Sequence, residues 1–278
     1  IHEDEAAERL ARAVSGPGIT FSETKEGKVN LIAEYDGLIY ASEEGIYALN
    51  SIEYIILATL HNHRPVKKGQ KIAGTRVVPL MIEEKAIIQA EEVARSFGEP
   101  ILQIRPLQSR KIGVVTTGSE VYHGRIQDKF GPVLQGKIAE WGSILLGQTF
   151  ADDKVEMIQE RIREHIANGA EMVLVTGGMS VDPDDVTPTA IKGLGGELVT
   201  YGAPVLPGAM LLLAYLNDVP ILGLPGCVMY SRKTVFDLVA TRILAGERLT
   251  RAEIAKYCHG GLCLECPECT YPHCPFGK

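Results

Sequence analysis

Three short glycine-containing loops carry groups that could bind an anion. They cover residues 116–120, 176–180 and 223–226. Each loop follows an apolar run typical of a buried strand and precedes a segment typical of a helix. Because loops at the carboxyl ends of parallel strands lie on one edge of a sheet, we expect the three loops to form one pocket. Glycine lets backbone amides approach a ligand closely, so the pocket is predicted to bind a phosphate or a similar group.

Carboxylate side chains accompany the first two loops and could bind a cation. Asp182, Asp184 and Asp185 lie close together after the second loop, and like charges at this spacing favour a bound oxygen-preferring ion such as Mg²⁺. Glu120 ends the first loop, and Asp128 comes just before a predicted helix. Helix capping is the alternative role for Asp128, Asp184 and Asp185, so both roles stay open for these residues.

Two cationic side chains follow the third loop. Arg232 and Lys233 are predicted in the first turns of a helix over residues 228–244, and the N-terminus of a helix attracts anions. Arg232 could pair with the charge of a bound ligand. For Lys233, a place on a solvated helix face is the alternative.

The segments that must position these loops alternate between strand and helix. Predicted strands cover residues 111–116, 144–149, 172–176, 197–201, 210–215 and 220–224, and predicted helices cover residues 130–140, 154–168, 187–193 and 228–244. Such alternation implies right-handed crossovers between parallel strands. We therefore predict a three-layer α/β domain over residues 107–250, in which helices flank a mostly parallel sheet.

The first 106 residues are predicted to form a smaller, β-rich α+β module. Helical spacing covers residues 3–14 and 83–97, and short β-like pieces cover residues 29–33, 38–40, 55–61 and 75–80. Turn residues separate these pieces. The module is predicted to be distinct from the α/β domain that follows it.

Length and composition limit the function classes. With 278 residues, 45% hydrophobic and 23% charged, the chain is typical of a globular protein with two domains. A net charge of −7 argues against a nucleic-acid binder, which needs a basic face. The longest apolar run, residues 209–216, is too short to span a bilayer, and we see no signal peptide. Since the first residue is Ile1 rather than Met, the sequence is compatible with a start inside a longer polypeptide.

Five of the six cysteines cluster near the end of the chain, at Cys258, Cys263, Cys266, Cys269 and Cys274. A disulfide framework would spread its cysteines, so the cluster predicts a metal site and a reducing, cytoplasmic compartment. The spacing Cys-x2-Cys-x2-Cys-x4-Cys-Pro resembles the bacterial ferredoxin pattern with one extra residue, which favours an iron–sulfur cluster. Zn²⁺ is the alternative. Either metal would help to fold a tail over residues 251–278 that has little apolar core.

Taken in order, the three loops resemble the molybdopterin-binding domain of molybdenum-cofactor biosynthesis proteins, and most of all the molybdopterin molybdenumtransferase family. Residues 117–121 match that family's Thr-Gly-Asp-Glu-Leu loop, residues 176–181 its Ser/Thr-Gly-Gly-x-Ser loop, and residues 224–226 its Leu-Pro-Gly-Asn loop. Asp185 stands at the position of the family's essential Asp. The resemblance covers residues 111–244 well and the earlier part of the chain loosely.

Three positions depart from the family pattern. Ser119 replaces an Asp, and Phe130 and Cys227 each replace an Asn. One carboxylate and two polar groups are therefore missing from the expected site. The family also continues into a small C-terminal β domain, where this chain has the cysteine tail instead.

The resemblance implies that molybdopterin, or its nucleotide, lies across the three loops with its phosphate on the glycine amides. The implied cofactor-binding residues are Thr117, Gly118, Ser119, Asp128, Thr176, Gly177, Gly178, Ser180, Pro225, Gly226 and Arg232. Asp185, Asp182 and Glu120 are implied to be catalytic, by holding Mg²⁺ or by positioning molybdate or tungstate.

Three hypotheses about function stay open. The first is an enzyme that inserts molybdenum or tungsten into adenylylated molybdopterin. The second is a non-catalytic carrier or sensor, whose cysteine tail is a redox sensor, a docking point for a molybdoenzyme or a structural clip. The third is a nucleotide pyrophosphatase, because related domains occur in the competence-damage family. The resemblance also implies a homo-oligomer, and we expect neither nucleic acid nor membrane as a partner.

Overall fold

The structure, a computed structural model, describes residues 1–179 and 185–278. They divide into two compact units, residues 1–107 and residues 108–277. Within the described residues, no helix is both long and apolar enough to cross a membrane.

The first unit combines three helices with two antiparallel sheets. Its elements are α1 (Glu3–Val14), β1 (Ile19–Phe21), β2 (Lys28–Ala33), β3 (Gly37–Ala41), α2 (Glu43–Asn50), β4 (Ile55–Thr59), β5 (Pro65–Val66), β6 (Lys71–Val77), α3 (Glu84–Ser96) and β7 (Leu102–Arg105). The sheets have the orders β1-β2-β6-β4 and β5-β3-β7. Helix α1 buries its apolar stripe, including Leu10 and Val14, against this core.

The second unit contains six further strands and the remaining helices. Its elements are β8 (Lys111–Thr117), α4 (Ser119–Tyr122), α5 (Phe130–Glu140), β9 (Ile144–Ala151), α6 (Val155–Ala167), β10 (Met172–Thr176), α7 (Thr187–Lys192), β11 (Glu197–Tyr201), β12 (Leu212–Leu216), β13 (Val219–Leu224), α8 (Val235–Leu244) and α9 (Arg251–Ala255). The tail after α9 belongs to this unit.

One six-stranded sheet forms the middle layer of the second unit. Its order is β11-β12-β13-β10-β8-β9, and the four strands from β13 to β9 are parallel. Strands β11 and β12 add an antiparallel extension. The predicted three-layer α/β fold with a mostly parallel sheet is therefore confirmed.

Helices cover both faces of the sheet because its central strands are apolar on both sides. Val173 and Val175 of β10 pack with Ile158 of α6 and Ile191 of α7 on one face. Successive strand residues point to opposite faces, so Leu174 faces the other layer. There α5 and α8 meet, with the rings of Trp141 and Phe236 in an edge-to-face contact at 5.3 Å.

The predicted helix over residues 228–244 is wrong at its start. A single 3-10 turn covers Gly226–Met229, and α8 begins only at Val235. The cause is a capping box: the Thr234 side chain accepts the N–H of Phe236, and the Asp237 carboxylate accepts the N–H of Thr234. Arg232 and Lys233 therefore precede the helix instead of occupying its first turns.

The first unit also differs from the prediction: β1, β5 and β7 were not predicted, and neither was one helix. Helix α2 was not predicted, although Ser42 caps it by accepting the N–H of Gly45. The strand expected over residues 75–80 instead covers Lys71–Val77, where it pairs with β2 and β4 on its two sides.

Candidate functional site

The three loops lie at one edge of the six-stranded sheet, which we call the loop edge. Since β13, β10, β8 and β9 lie side by side in this order and each neighbouring pair is parallel, their carboxyl ends point the same way. Thr176 pairs with Thr116 on one side and with Leu224 on the other, so the strands end level with one another. This is the edge at which open α/β sheets bind ligands.

Buried threonine hydroxyls hold the first two loops together. The hydroxyls of Thr117 and Thr187 share a hydrogen bond of 3.1 Å, and Thr176 donates to the hydroxyl of Thr116 at 3.3 Å. All four residues are buried. The hydroxyls of Thr117 and Thr176 are therefore hydrogen-bonded to neighbouring threonines. The backbone of each residue leads into its loop.

Two glycines shape the second loop. Gly177 has a φ of 88° and Gly178 a φ of 53°, a left-handed backbone that residues with a Cβ rarely adopt. A Cβ on Gly177 would overlap the carbonyl oxygen of Thr117, and one on Gly178 would lie 2.9 Å from the hydroxyl of Thr187. The first loop therefore approaches the second so closely that only glycine fits.

The carboxylate of Asp128 caps the helix that follows the first loop. It accepts the N–H of Phe130 at 2.9 Å and the N–H of Gly131 at 3.0 Å. Gln148 on β9 donates to this carboxylate at 2.7 Å and to the hydroxyl of Thr116 at 2.8 Å. Asp128 therefore has the capping role, and the side chain of Gln148 links its carboxylate to Thr116 near the end of β8.

A fourth loop, which was not predicted from the sequence, follows β9 at the same edge. The Asp153 carboxylate accepts the N–H of Ser119 at 2.8 Å and so holds the start of α4. The N–H of Asp153 binds the neighbouring carboxylate and lowers the pKa of Asp152, with Lys154 and His123 acting in the same direction. In the sequence, Asp152 and Asp153 shortly after the predicted strand 144–149 could have pointed to this loop.

A buried lysine holds the segment after the third loop. Lys137 of α5 donates to the carbonyl oxygen of Arg232 at 3.0 Å and pairs with Asp237 at 2.6 Å. Lys233 pairs with Glu140 at 3.3 Å. No sequence pattern pointed to Lys137, because its partners lie about a hundred residues away.

The predicted acidic residues are placed as follows. Glu120 is exposed in α4. Asp185 is half-buried before α7, and its charge adds to burial, the larger cause, in raising the pKa of Tyr201. Ser180, Asp182 and Asp184 lie outside the described residues. Over residues 1–179 and 185–278, no three His, Cys, Asp or Glu side chains are grouped so that they could hold a metal ion.

The third loop turns away from the sheet at Pro225 and Gly226. Gly226 is exposed, and a Cβ added there would meet no atom within 4 Å. Cys227 follows it, and burial raises the pKa of its thiol. The loop therefore leaves open space beside Gly226.

Backbone hydrogen bonds attach the first part of the cysteine tail to the rest of the second unit. Leu206 donates to the carbonyl of Gly261 and accepts from the N–H of Cys263, both at 2.8 Å. Within the tail, Gly277 donates to the carbonyl of Gly260 at 2.9 Å, which brings the end of the tail back to its start. All six cysteines are free thiols. Four of the tail cysteines line one cavity of about 260 Å³ together with Arg232.

Residues 113–245 match the family model described as a probable molybdopterin binding domain. Among curated proteins, a CinA-like protein of Mycobacterium sp. (strain MCS) is 34% identical over 92 residues, which are 33% of this chain and 22% of that protein. A CinA-like protein of Mycolicibacterium vanbaalenii is 31% identical over 97 residues, 35% of this chain and 23% of that protein. The chain therefore matches less than a quarter of the length of these curated relatives.

Two solved structures are similar to parts of the chain. The molybdopterin biosynthesis enzyme MoaB of Thermus thermophilus is 20% identical, with 50% of this chain and 98% of that chain covered at a TM-score of 0.42. The molybdopterin biosynthesis MoeA protein of Pyrococcus horikosii is 18% identical, with 92% and 81% covered at a TM-score of 0.41. Residues 113–245, just under half of this chain, are therefore similar to the family described as a probable molybdopterin binding domain.

Proposed function

We propose that residues 113–245 bind molybdopterin or its nucleotide in molybdenum- or tungsten-cofactor biosynthesis. One observation carries this proposal: the loops that resemble the family motifs converge on a single edge of the sheet within the segment that matches the family. The left-handed glycines 177 and 178 give a tight backbone turn there, which suits a phosphate oxygen. The Pro225–Gly226 turn would border the pterin ring.

The open space beside Gly226 allows a sharp binding test. In Gly226→Val the added side chain meets no protein atom at its Cβ, so the fold is retained, but a ligand on this turn would meet the new side chain. Gly136→Ala is the matched control, because Gly136 is exposed on α5 and also has free space around it. Calorimetric titration with molybdopterin should show binding to the wild type and the control, and at least tenfold weaker binding to Gly226→Val. Absence of binding to the wild-type protein would refute the proposal.

Metal insertion is the finer hypothesis for the same site. Asp185, with Asp182 and Glu120, would bind Mg²⁺ or position molybdate, and a bound Mg²⁺ would supply Lewis-acid assistance. Asp185 is close to the second loop, since its Oδ1 atom lies 3.6 Å from where a Cβ of Gly178 would stand. The described residues do not by themselves form a metal site, so these roles stay predictions.

The departures from the family pattern favour the carrier hypothesis over insertion. Phe130 is 8% exposed and packs as the first residue of α5, so it offers the pocket no polar group. Incubation with adenylylated molybdopterin and molybdate separates the hypotheses. AMP release that requires molybdate and is lost in Asp185→Asn supports insertion. Tight binding without AMP supports a carrier, and AMP release without molybdate supports the pyrophosphatase alternative.

A molybdoenzyme partner, a homo-oligomer and a cytoplasmic location remain predictions. They rest on the family resemblance and on the clustered cysteines, and each can be measured on the purified chain or in cells. The metal predicted at the tail is independent of these predictions, because it concerns the cavity that the tail cysteines line.

A further inference from the structure

The cavity of about 260 Å³ at the tail has the composition of a metal-cluster site. Cys263, Cys266, Cys269 and Cys274 all contribute to its wall, whereas Cys258 does not. The remaining wall comes from the segment before α8, including Arg232 and Lys233, and from Tyr271 and Phe276. Four cysteines from a stretch of twelve residues thus line one space.

The turn between Cys263 and Cys266 contains a backbone hydrogen bond to sulfur. Glu265 has a left-handed φ of 51°, and its N–H donates to the Sγ atom of Cys263 at 3.5 Å. Hydrogen bonds to the sulfur ligands tune the potential of iron–sulfur clusters. The backbone of Cys263 is in turn fixed by its hydrogen bond to Leu206.

The charges around the cavity suit a negatively charged centre. A [4Fe–4S]²⁺ core with four thiolate ligands carries a net charge of about −2. Arg232 lines the same cavity and would offset part of that charge. Lys233 lies over the Tyr271 ring at 5.6 Å and is already paired with Glu140 and Asp237. Glu265, the carboxylate among the lining residues, is exposed to solvent.

The spacing of the four cysteines distinguishes a cluster from a single ion. Over the described residues, which include the whole tail, no three His, Cys, Asp or Glu side chains are grouped so that they could hold one metal ion. In a cluster each cysteine binds a different iron atom, so the thiols need to surround a volume and not to meet at one point. We propose that Cys263, Cys266, Cys269 and Cys274 ligate an iron–sulfur cluster in this cavity, beside Arg232. This inference does not depend on molybdopterin binding.

Anaerobic reconstitution of the full chain with ferrous iron and sulfide tests the ligand set. We expect about four iron and four sulfide per chain and a broad visible absorption. Cys266→Ser and Cys269→Ser should lose most of the iron, whereas Cys258→Ser and Cys227→Ser should retain it. One zinc per chain without iron after purification and reconstitution, or equal loss of iron in all four variants, would overturn the proposal.

The proposed position of the cluster beside Arg232 can be tested separately. Removing a cation beside the cluster disfavours the more negative, reduced state, so Arg232→Ala should lower the midpoint potential while the iron content is unchanged. Arg251→Ala is the matched control, since Arg251 is exposed on α9 and does not line the cavity. A potential unchanged in both variants would show that the cluster does not lie beside Arg232.

Discussion

The loop edge and the cysteine tail belong to the same unit but are held in different ways. The loop edge rests on groups that are buried deep in the fold, such as the Thr117–Thr187 hydroxyl pair and the Lys137–Asp237 ion pair. The tail is attached by backbone hydrogen bonds to Leu206 near its start, and most side chains over residues 262–275 are exposed. Packing therefore fixes the first region before any ligand arrives, whereas the second has few buried side chains to order its interior.

The largest effect is expected from Lys137→Met. This substitution removes the nearer and more buried of the two lysines that pair with Asp237, and breaking one side of a buried ion pair costs roughly 3–5 kcal/mol. It also removes the donor to the Arg232 carbonyl, so the segment after the third loop should loosen. Denaturant unfolding followed by tryptophan fluorescence measures the loss, since Trp141 caps α5.

Lys233→Met is the matched control for that change. Lys233 also contacts Asp237, at 3.5 Å, but it is more exposed, so its loss should cost less than about 1 kcal/mol. If both variants lost equal stability, the buried pair would not be what anchors the third loop.

Gly177→Ala should come next in magnitude. The left-handed backbone costs an alanine roughly 1–2 kcal/mol, and the overlap with the Thr117 carbonyl adds to that cost. Gly136→Ala, in the middle of α5, should instead stabilise by about 0.5–1 kcal/mol, because alanine is the better helix former. Thermal unfolding of both variants gives the comparison, and equal melting temperatures would contradict the close approach of the two loops.

The threonine pair allows a double-mutant cycle. Thr117→Val or Thr187→Val alone leaves one buried hydroxyl without its partner, which costs roughly 1–3 kcal/mol. The double variant removes both groups, so its loss should be smaller than the sum of the single losses, with a coupling of at least about 0.5 kcal/mol. Strict additivity in denaturant unfolding would mean that the hydroxyls do not join the loops.

The parts of the fold that could be predicted are those set by local pattern. The apolar run of β10 and the helical spacing of α1 match the predicted bounds, because neighbours in sequence determine them. The start of α8 could not be placed, since Thr234 and Asp237 outweigh an apolar pattern that continues upstream of them. Hydrophobic periodicity alone does not show which polar residue will cap a helix.

The same distinction between local pattern and distant partners applies to the residues of the candidate site. Gly177 and Gly178 could be recognised from sequence, because a left-handed turn after a buried strand calls for glycine. Gln148 and Lys137 could not, since each is defined by partners that only the fold brings near. Asp128 had two open roles, and the structure shows the capping role through two short hydrogen bonds.

Acid should destabilise the second unit through His165. Burial lowers the pKa of this imidazole below its usual value of about 6.5, although its bond to the Val114 carbonyl opposes the shift. The unfolded chain therefore takes up a proton more readily than the folded one. The stability contribution is present above about pH 6.5 and is lost as pH falls from there through the folded pKa.

Denaturant unfolding at a series of pH values checks that prediction. The free energy of unfolding should fall below about pH 6.5 in the wild type and fall less steeply in His165→Gln. His259→Gln is the control, because His259 is exposed in the tail. An identical slope in the wild type and His165→Gln would show that another group sets the acid limit.

The smallest effect on the unit should come from the tail itself. Tyr271 contacts Phe276 edge to face at 6.3 Å, so Tyr271→Leu should cost at most about 0.5–1.5 kcal/mol. Global unfolding should change little, while limited proteolysis within residues 262–275 should accelerate severalfold. Tyr47→Leu, an exposed tyrosine of the first unit, should change neither measurement. If Tyr271→Leu destabilised the protein as much as Gly177→Ala, the tail would unfold together with the α/β core, and it would not need a metal to order it.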